Sequence, residues 1–597
     1  MTFPSNPNED DLHEAFGRRL RYRSGKWQVV SSPSVATVTE EVPKTEAVAQ
    51  AVDLPMTGNE VGAMTYVQES NRLYVWNGSG WFEVALVNTN PTITAGGNAT
   101  YELATDGSPT VVTLTANDPE GLPLTWSYAV TSGSLGGTTV TNVDNVFTIT
   151  PSTNSVDAGT FQLTFTASDG VNVDTSASSF TLSFTDWTSA TLLHTLNNPN
   201  AFGTSASDNF GVRIAISGNY AIFGVSQEDE DGGLGSGKAY IFNVTTGSLV
   251  YTLDNPNAYD TSANDWFGHS VAISDNYAIV GTYREGDAGG SSSGKAYIFN
   301  VTTGSLVYTL DNPNAYSTSA GDSFGVSVAI SGNYAIVGAI GEDDAGGDVS
   351  GKAYIFKTTT GDWTDTTLLH TLDNPNAYGT STTDQFGEYV AISGNYAIVG
   401  VPREDDSTGD QSGKAYIFNV TTGSLVYTLN NPNPYGTSAS DYFSASIAIS
   451  GNYAIVGAYL EDDNGDNNSG KAYIFKTTTG DWTDTTLLHT LDDPNVYGTS
   501  NADYFSQSVA IDGNYAIISA RGEADAGGAG SGKAYIFDVT TGALLRTLDN
   551  PNAYSTSASD FFGYSVGIAG NYAIAGAHQE DDAGGLGSGK AYIFQAG

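Results

Sequence analysis

The residues best placed to do chemistry are acids recurring at regular intervals. The stretch GNYAIVGAIGEDDAGGDVSGKAYIF, residues 332–356, sets Glu342, Asp343 and Asp344 between two apolar runs, and six other copies share this order. Oxygen-rich loops turned by glycine are where calcium binds. The richest copy, EDDNGDNNSG, offers Asp462, Asp463, Asn464, Asp466 and Asn468 around Gly465. Those five are the candidate calcium ligands, and calcium is the one cofactor the residues admit. Copies such as Glu285 with Asp287, or Glu523 with Asp525, offer too few oxygens to hold a hard cation alone. A plainer role suits every copy. A lysine opens the apolar run after each knot (Lys238, Lys295, Lys352, Lys414, Lys471, Lys533, Lys590). A neighbouring carboxylate relieves the mutual repulsion of these lysines, each exposed pair contributing only ~0–1 kcal/mol.

Catalysis finds little to work with. His13, His194, His269, His370, His489 and His578 form no metal spacing, and three of them share one repeat position. Cysteine is absent, and there is no phosphate-cradling glycine loop. Any two acidic loops could be drawn as a glycosidase pair, so none is singled out. The expectation is a protein that is not an enzyme.

More informative are positions that differ from copy to copy. Just before the acids stand Ser226–Gln227, Tyr283–Arg284, Ile340–Gly341, Pro402–Arg403, Tyr459–Leu460, Arg521–Gly522 and His578–Gln579. Trp266, Tyr442, Tyr504 and Phe561 precede a recurring Phe, while His269, Glu388, Gln507 and Tyr564 follow it. Aromatic faces beside carboxylates and amides suit carbohydrate, the rings stacking on C–H faces and the polar groups meeting hydroxyls. The candidate ligand-binding set is Trp266, Tyr283, Arg284, Arg403, Tyr442, Tyr459, Tyr504, Arg521 and His578. Tyr259, Tyr316, Tyr378, Tyr435, Tyr497 and Tyr554, with Phe202, recur in every copy and read as packing wedges.

The elements that must position these residues follow from the repeat. Units begin at Phe210, Phe267, Phe324, Phe386, Phe443, Phe505 and Phe562, spaced by 57 or 62 residues. Each reads as four short strands, typified by SVAIS, YAIVGA, KAYIF and LVYTL, with a tight Ser-Gly-Asn turn between the first two. Seven four-stranded units predict an all-β chain built round a seven-bladed β-propeller over 186–597. The last unit lacks a fourth strand, and an orphan strand at 191–196 precedes the first. Pairing the two closes the ring and removes its open edges. Strand alternation puts the acidic loops and the long inter-blade connections on one face, where binding is expected.

The recurring FG, GA and G-K-A-Y-I-F pattern resembles the FG-GAP repeats of integrin-like propellers, especially bacterial and phage ones. That family's calcium loop lies between the first two strands, a place held here by SGNY, so its metal site does not carry over. Residues 88–185 (TVVTLTA, FTIT, FQLTFTAS, SSFTLSF) resemble an immunoglobulin/cadherin-like sandwich. That resemblance makes Asp118, Glu120 and Asp169 calcium candidates. Residues 56–87, with VGAMTYVQESNRLYVWNGSGWFEV, resemble a small β-motif of tailed-phage virion proteins, marine cyanophages included. Residues 1–55 combine a segment like those that dock on a particle (GRRLRYRSGKWQVV) with a low-complexity linker from 31.

The formal charge of −44 argues against binding nucleic acid or anionic lipid without a specific site. No apolar run is long enough to span a bilayer, and the N-terminus has acids and arginines where a secretory signal needs an apolar core. The resemblance implies a non-enzymatic virion appendage, a fibre or decoration protein exposed on the particle surface. Its N-terminal segment meets other virion proteins, and its propeller, in many copies, meets host-surface glycan. A bacterial surface adhesin and a virion decoration without ligand are the alternatives.

Overall fold

The computed structural model describes residues 12–15, 18–23, 26–31, 47–48 and 54. From 61 onward it describes all but 62, 69–71, 87, 105–106, 153–156, 183–184 and the loop stretches 200–206, 230–233, 257–262, 287–289, 314–319, 344–347, 376–382, 406–410, 433–439, 463–466, 495–501, 525–527, 553–557 and 582–585. The chain divides into two units, Met1–Phe184 and Thr185–Gly597. Among the described residues no helix is long and apolar enough to cross a membrane.

In the first unit, Leu12–Ala15, Arg18–Arg23 and Lys26–Ser31 form one small antiparallel sheet. Met64–Val67, Arg72–Trp76 and Trp81–Leu86 form another, which also takes in Ala47–Val48 from the stretch read as linker. Two further sheets share one core. Thr110–Thr113, Thr139–Val143 and Val146–Thr150 lie in one, while Thr125–Ser132, Gly159–Ser168, Val173–Leu182 and Thr100–Glu102 lie in the other. Period-two alternation aims Val112, Phe147 and Ile149 at Phe161, Phe165 and Phe180.

The second unit is seven four-stranded antiparallel sheets, a seven-bladed β-propeller. Blades are numbered here in chain order. Blade 3 is typical, with Phe324–Ser331, Tyr334–Ala339, Lys352–Lys357 and Thr367–Asp373 paired in succession. The middle strands are apolar on both faces because each sheet lies between two others. The core that holds Ile279 and Ile298 of blade 2 also holds Val328, Val337 and Tyr354 of blade 3. Each such fully buried aliphatic side chain stabilises the fold by about 1.5–3 kcal/mol. The inner strands line the central channel, and at one end seven isoleucines, from Ile216 to Ile568, ring a cavity of about 510 Å³.

The glycines of the recurring motif meet across blades. A Cβ on Gly338, in the second strand of blade 3, would lie 2.0 Å from the carbonyl oxygen of Gly387, which follows the Phe of blade 4. Only a backbone without a side chain allows that approach. Where the second glycine becomes Ser444 or Ser506, the serine hydroxyl donates to the carbonyl of Lys414 or Lys471 at 2.6 Å.

The seventh sheet, Phe562–Ala569, Tyr572–Ala577 and Lys590–Gln595, takes its outer strand from Thr191–Asn197. The clasp extends further back. Trp187 is buried against Phe562 and Phe594, the Asp186 carbonyl accepts from Gly597 N at 3.0 Å, and the Thr188 carbonyl accepts from Arg546. Trp187 matches Trp363 and Trp482, both fully buried in the long third-to-fourth connections of blades 3 and 5. Opposite the loop face, turn serines stitch neighbouring blades. Ser217, Ser274, Ser331, Ser393 and Ser450 accept from the next blade's turn N–H at 3.2–3.3 Å, and Asp512 does so at 2.7 Å. The seventh member of this series is Ala569, which has no acceptor to offer.

Candidate ligand-binding funnel

The leading acid of each knot is internal, which corrects the reading of the knots as exposed partners of the lysines. Glu228, Glu285, Glu342, Glu404, Glu461, Glu523 and Glu580 are no more than 1% exposed. Each accepts a hydrogen bond from the tyrosine in the middle of the following KAYIF strand, from Tyr240 to Tyr592. Burial raises the carboxyls of Glu285, Glu342, Glu404, Glu461, Glu523 and Glu580. Glu285 and Glu461 are pushed up to about 8 and Glu342 and Glu523 to about 7, each held back in part by its tyrosine. The lysines turn mostly elsewhere. Five pair with an aspartate ending the fourth strand (Asp254, Asp311, Asp373, Asp492, Asp549), while Lys414 and Lys590 reach Glu404 and Glu580.

The second acid closes the loop. Oδ1 of Asp229, Asp343, Asp405, Asp462 and Asp581 accepts the backbone N–H six residues on at 2.8–2.9 Å. In the candidate calcium loop, Asp462 therefore already holds Asn468 N, while Asp463, Asn464 and Asp466 lie outside the described residues. In the first unit, Asp118 accepts from Glu120 N and Leu122 N, Asp169 from Val171 N and Asn172 N, and Glu120 from Thr89. Turn N–H groups thus occupy Oδ1 of Asp118 and of Asp169, while Glu120 is held by Thr89, 31 residues away in sequence. Among the described residues, one group of three acids brings its oxygens within 4.8 Å of one another: Asp493, Asp503 and Glu523. In the other six blades an asparagine stands at the position of Asp493 and donates to the matching aspartate, as Asn255 does to Asp265 at 2.9 Å.

The residues that differ among copies gather on the loop face. Around Trp266, the Arg284 guanidinium lies 3.5 Å above the indole centroid, and His269 packs 4.4 Å from the ring of Tyr283. Arg284 Nε also donates to the Tyr283 hydroxyl at 3.0 Å. A second run crosses three blades. Tyr442 meets Tyr459 at 6.4 Å, Tyr459 meets Tyr504 at 6.2 Å, and Arg521 lies 4.7 Å above Tyr504. Arg521 Nε donates to Gln507 Oε1 at 3.0 Å, and its guanidinium also lies 5.5 Å from Tyr564, whose ring packs 4.0 Å from His578. Arg403 stands apart, its charge met by Glu388 at 3.4 Å. The two runs border one cavity of about 240 Å³, lined by Arg213, Gln227, Trp266, His269, Tyr564 and His578 among others. The inter-blade aromatics Tyr259, Tyr316, Tyr378, Tyr435, Tyr497, Tyr554 and Phe202 lie outside the described residues.

Two arginines act on each imidazole of the cavity wall. His269 is held down to about 3 by burial, then by Arg213 and Arg284. His578 is held down to about 4 by burial, then by Arg521 and Arg213. Both imidazoles are neutral at pH 7. The Tyr389 phenol, pushed up by burial and then by Glu388, lies within electrostatic reach of Arg213, Tyr459 and Tyr564.

Two of these residues escape the sequence reading. Arg213 and Tyr389 occupy the third position after the repeat's Phe, where the other five blades carry serine. Ser270, Ser327 and Ser508 at that position accept from the neighbouring inner strand at 3.0–3.1 Å. Arg213 and Tyr389 carry no such short hydroxyl, and that departure from serine was the available signal.

The FG-GAP repeat family matches the chain seven times, over residues 201–242, 257–299, 315–356, 376–418, 434–475, 498–537 and 553–594. No curated protein matches the sequence. Solved structures that match include a quinonprotein alcohol dehydrogenase-like protein from Bacteroides thetaiotaomicron (12% identity, 77% of this chain and 96% of that one, TM-score 0.32). Another is a DUF4623 family protein from Bacteroides eggerthii (10% identity, 87% and 95%, TM-score 0.32). A third is the β-propeller domain of the Trilobed protease from Pyrococcus furiosus (9% identity, 65% and 90%, TM-score 0.33). At these values the likenesses say nothing of activity.

Proposed function

The chain is an FG-GAP-repeat β-propeller protein, and on that premise we propose that it is a non-enzymatic virion appendage whose propeller binds glycan on the host surface. One observation carries the binding half of this reading. Side chains that vary among otherwise uniform blades converge on one mouth of the channel, as aromatic faces interleaved with guanidinium groups. A framework that only held itself together would need none of them there. Rings of this kind stack on sugar C–H faces, and the polar groups between them reach hydroxyls. The virion half rests on chain order: a short docking segment and linker, a phage-like β-motif, an immunoglobulin/cadherin-like spacer and a bulky head. Many copies on one particle make individually weak sites effective through tethering.

The test has two arms. Labelled antibody against the propeller should decorate intact particles, and unlabelled particles would overturn the appendage reading. Purified full chain should retain host-surface polysaccharide on a column and release it unshortened. Release of shortened chains would overturn the non-enzymatic reading.

A further inference from the structure

We propose that the cavity takes an acidic sugar residue, a uronate or a sulfated sugar, whose anionic group is bound by Arg213 and Arg521. The proposal rests on the glycan-binding reading and adds to it the charge of the ligand.

The propeller has five arginines in a chain whose formal charge is −44: Arg213 lines this cavity, Arg284 and Arg521 pack on the aromatic runs that border it, and Arg403 and Arg546 stand apart. The lysines that open the third strands offer no comparable charge, since each is paired with a carboxylate. At the mouth the pattern reverses. Arg403 has Glu388, but Arg213, Arg284 and Arg521 are braced by neutral groups instead: the His269 carbonyl at 2.7 Å, the Tyr283 hydroxyl and the Gln507 amide. Bracing of this kind fixes the planar fork of a guanidinium and leaves its charge unanswered. Arg213 lines the cavity, and Arg284 and Arg521 lie within electrostatic reach of its histidines, so the three together concentrate positive potential where an anion would sit.

Both cavity histidines feel that potential. Arg213 disfavours protonation of His269 and of His578, which stand on different blades. Neutral imidazoles keep one donor and one acceptor each, as sugar hydroxyls require. Asp208 is the acid on this wall, and its Oδ2 accepts from Asn198 at 2.9 Å. Size narrows the ligand further. A cavity of about 240 Å³ lies below the ~300–1,000 Å³ that enclose a drug-sized ligand. It therefore takes one ring, with the rest of the glycan running out over Trp266 on one side and Tyr504 on the other.

The experiment titrates the full chain with three defined oligosaccharides: an oligogalacturonate, a chondroitin sulfate fragment and a neutral cello-oligosaccharide. Binding is followed calorimetrically at low and at physiological salt. The acidic probes should bind, and more weakly at higher salt, while the neutral one should not. The carboxylate-only and sulfate-bearing probes together tell which anion is preferred. Arg213→Gln and Arg521→Gln should each weaken acidic-probe binding by roughly 10- to 100-fold, the loss of a charge-assisted hydrogen bond. Arg546→Gln, away from the mouth, should bind as the parent does, and thermal melts of each variant establish that it is folded. A neutral probe bound as well as the acidic ones, or acidic binding indifferent to both substitutions in folded protein, overturns the charge inference and leaves glycan binding standing. If none of the three probes binds, and neither does isolated host-surface polysaccharide, the glycan reading itself falls and the inference with it.

Discussion

The hydroxyl of Tyr473 lies 2.7 Å from Oε2 and 2.8 Å from Oε1 of Glu461, and the same bond, across twelve residues, recurs in every blade. It ties the start of the acidic loop to the middle of the third strand, inside the blade. Tyr473→Phe leaves a fully buried carboxyl short of a donor and should lower stability by about 1–3 kcal/mol. Chemical unfolding of the variant measures this. A variant that unfolds with the parent would show that the bond is incidental.

These buried glutamates set the direction of the pH dependence. A carboxyl raised to about 7 or 8 in the fold holds its proton more tightly there than in the unfolded chain. Its contribution is complete below the ordinary glutamate value near 4.3 and is lost as pH rises through 7 to 8. His269 and His578 act the other way, their contribution present above about 6.5 and lost as pH falls toward 4 and 3. Between about pH 4.3 and 6.5 the two effects oppose, and four glutamates outweigh two histidines, so the melting temperature should be highest near pH 4 to 5 and fall steadily by pH 9, as thermal scans across that range would record.

At Asp493 blade 6 departs from its six counterparts, with a third acid in place of an asparagine that donates. Asp493→Asn restores the donor and removes a like charge, so it should raise stability by about 1 kcal/mol. Melting parent and variant with calcium and with chelator checks this. A variant less stable than the parent only in calcium would reveal a cation among the three acids.

Removal of residues before 198 takes away the outer strand of blade 7 and the buried Trp187. The exposed edge of Lys590–Gln595 is then free to pair with other chains. A chain starting at 185 should stay monodisperse in size-exclusion chromatography, whereas one starting at 198 should aggregate.

The propeller is legible because its strands are short, apolar and punctuated by turns at fixed offsets. The orphan TLLHTL likewise points to the closing strand, but the pairing of Trp187 with Trp363 and Trp482 needed the match to begin five residues earlier, at DWT. The burial of the glutamates is harder to see. An acid followed by aspartates and glycines reads as solvated loop, and the countersign sits twelve residues on. KAYIF is buried on both faces, so the hydroxyl of its tyrosine must find a partner inside. Arg213 and Tyr389 are missed because the eye follows the variable neighbour two residues after Phe, while the next position looks like conserved serine.

The clasp has a mechanical meaning. The strand Thr191–Asn197 closes the ring and is also where the chain arrives from its N-terminal side. The adjoining seam is the one where Ala569 leaves the series of turn bonds without a link. A propeller held by ligand at its mouth and hauled from that side carries the tension through its own fastening. The joint that bears the load is the joint that keeps the head round, so the force that strips the strand away also opens the ring.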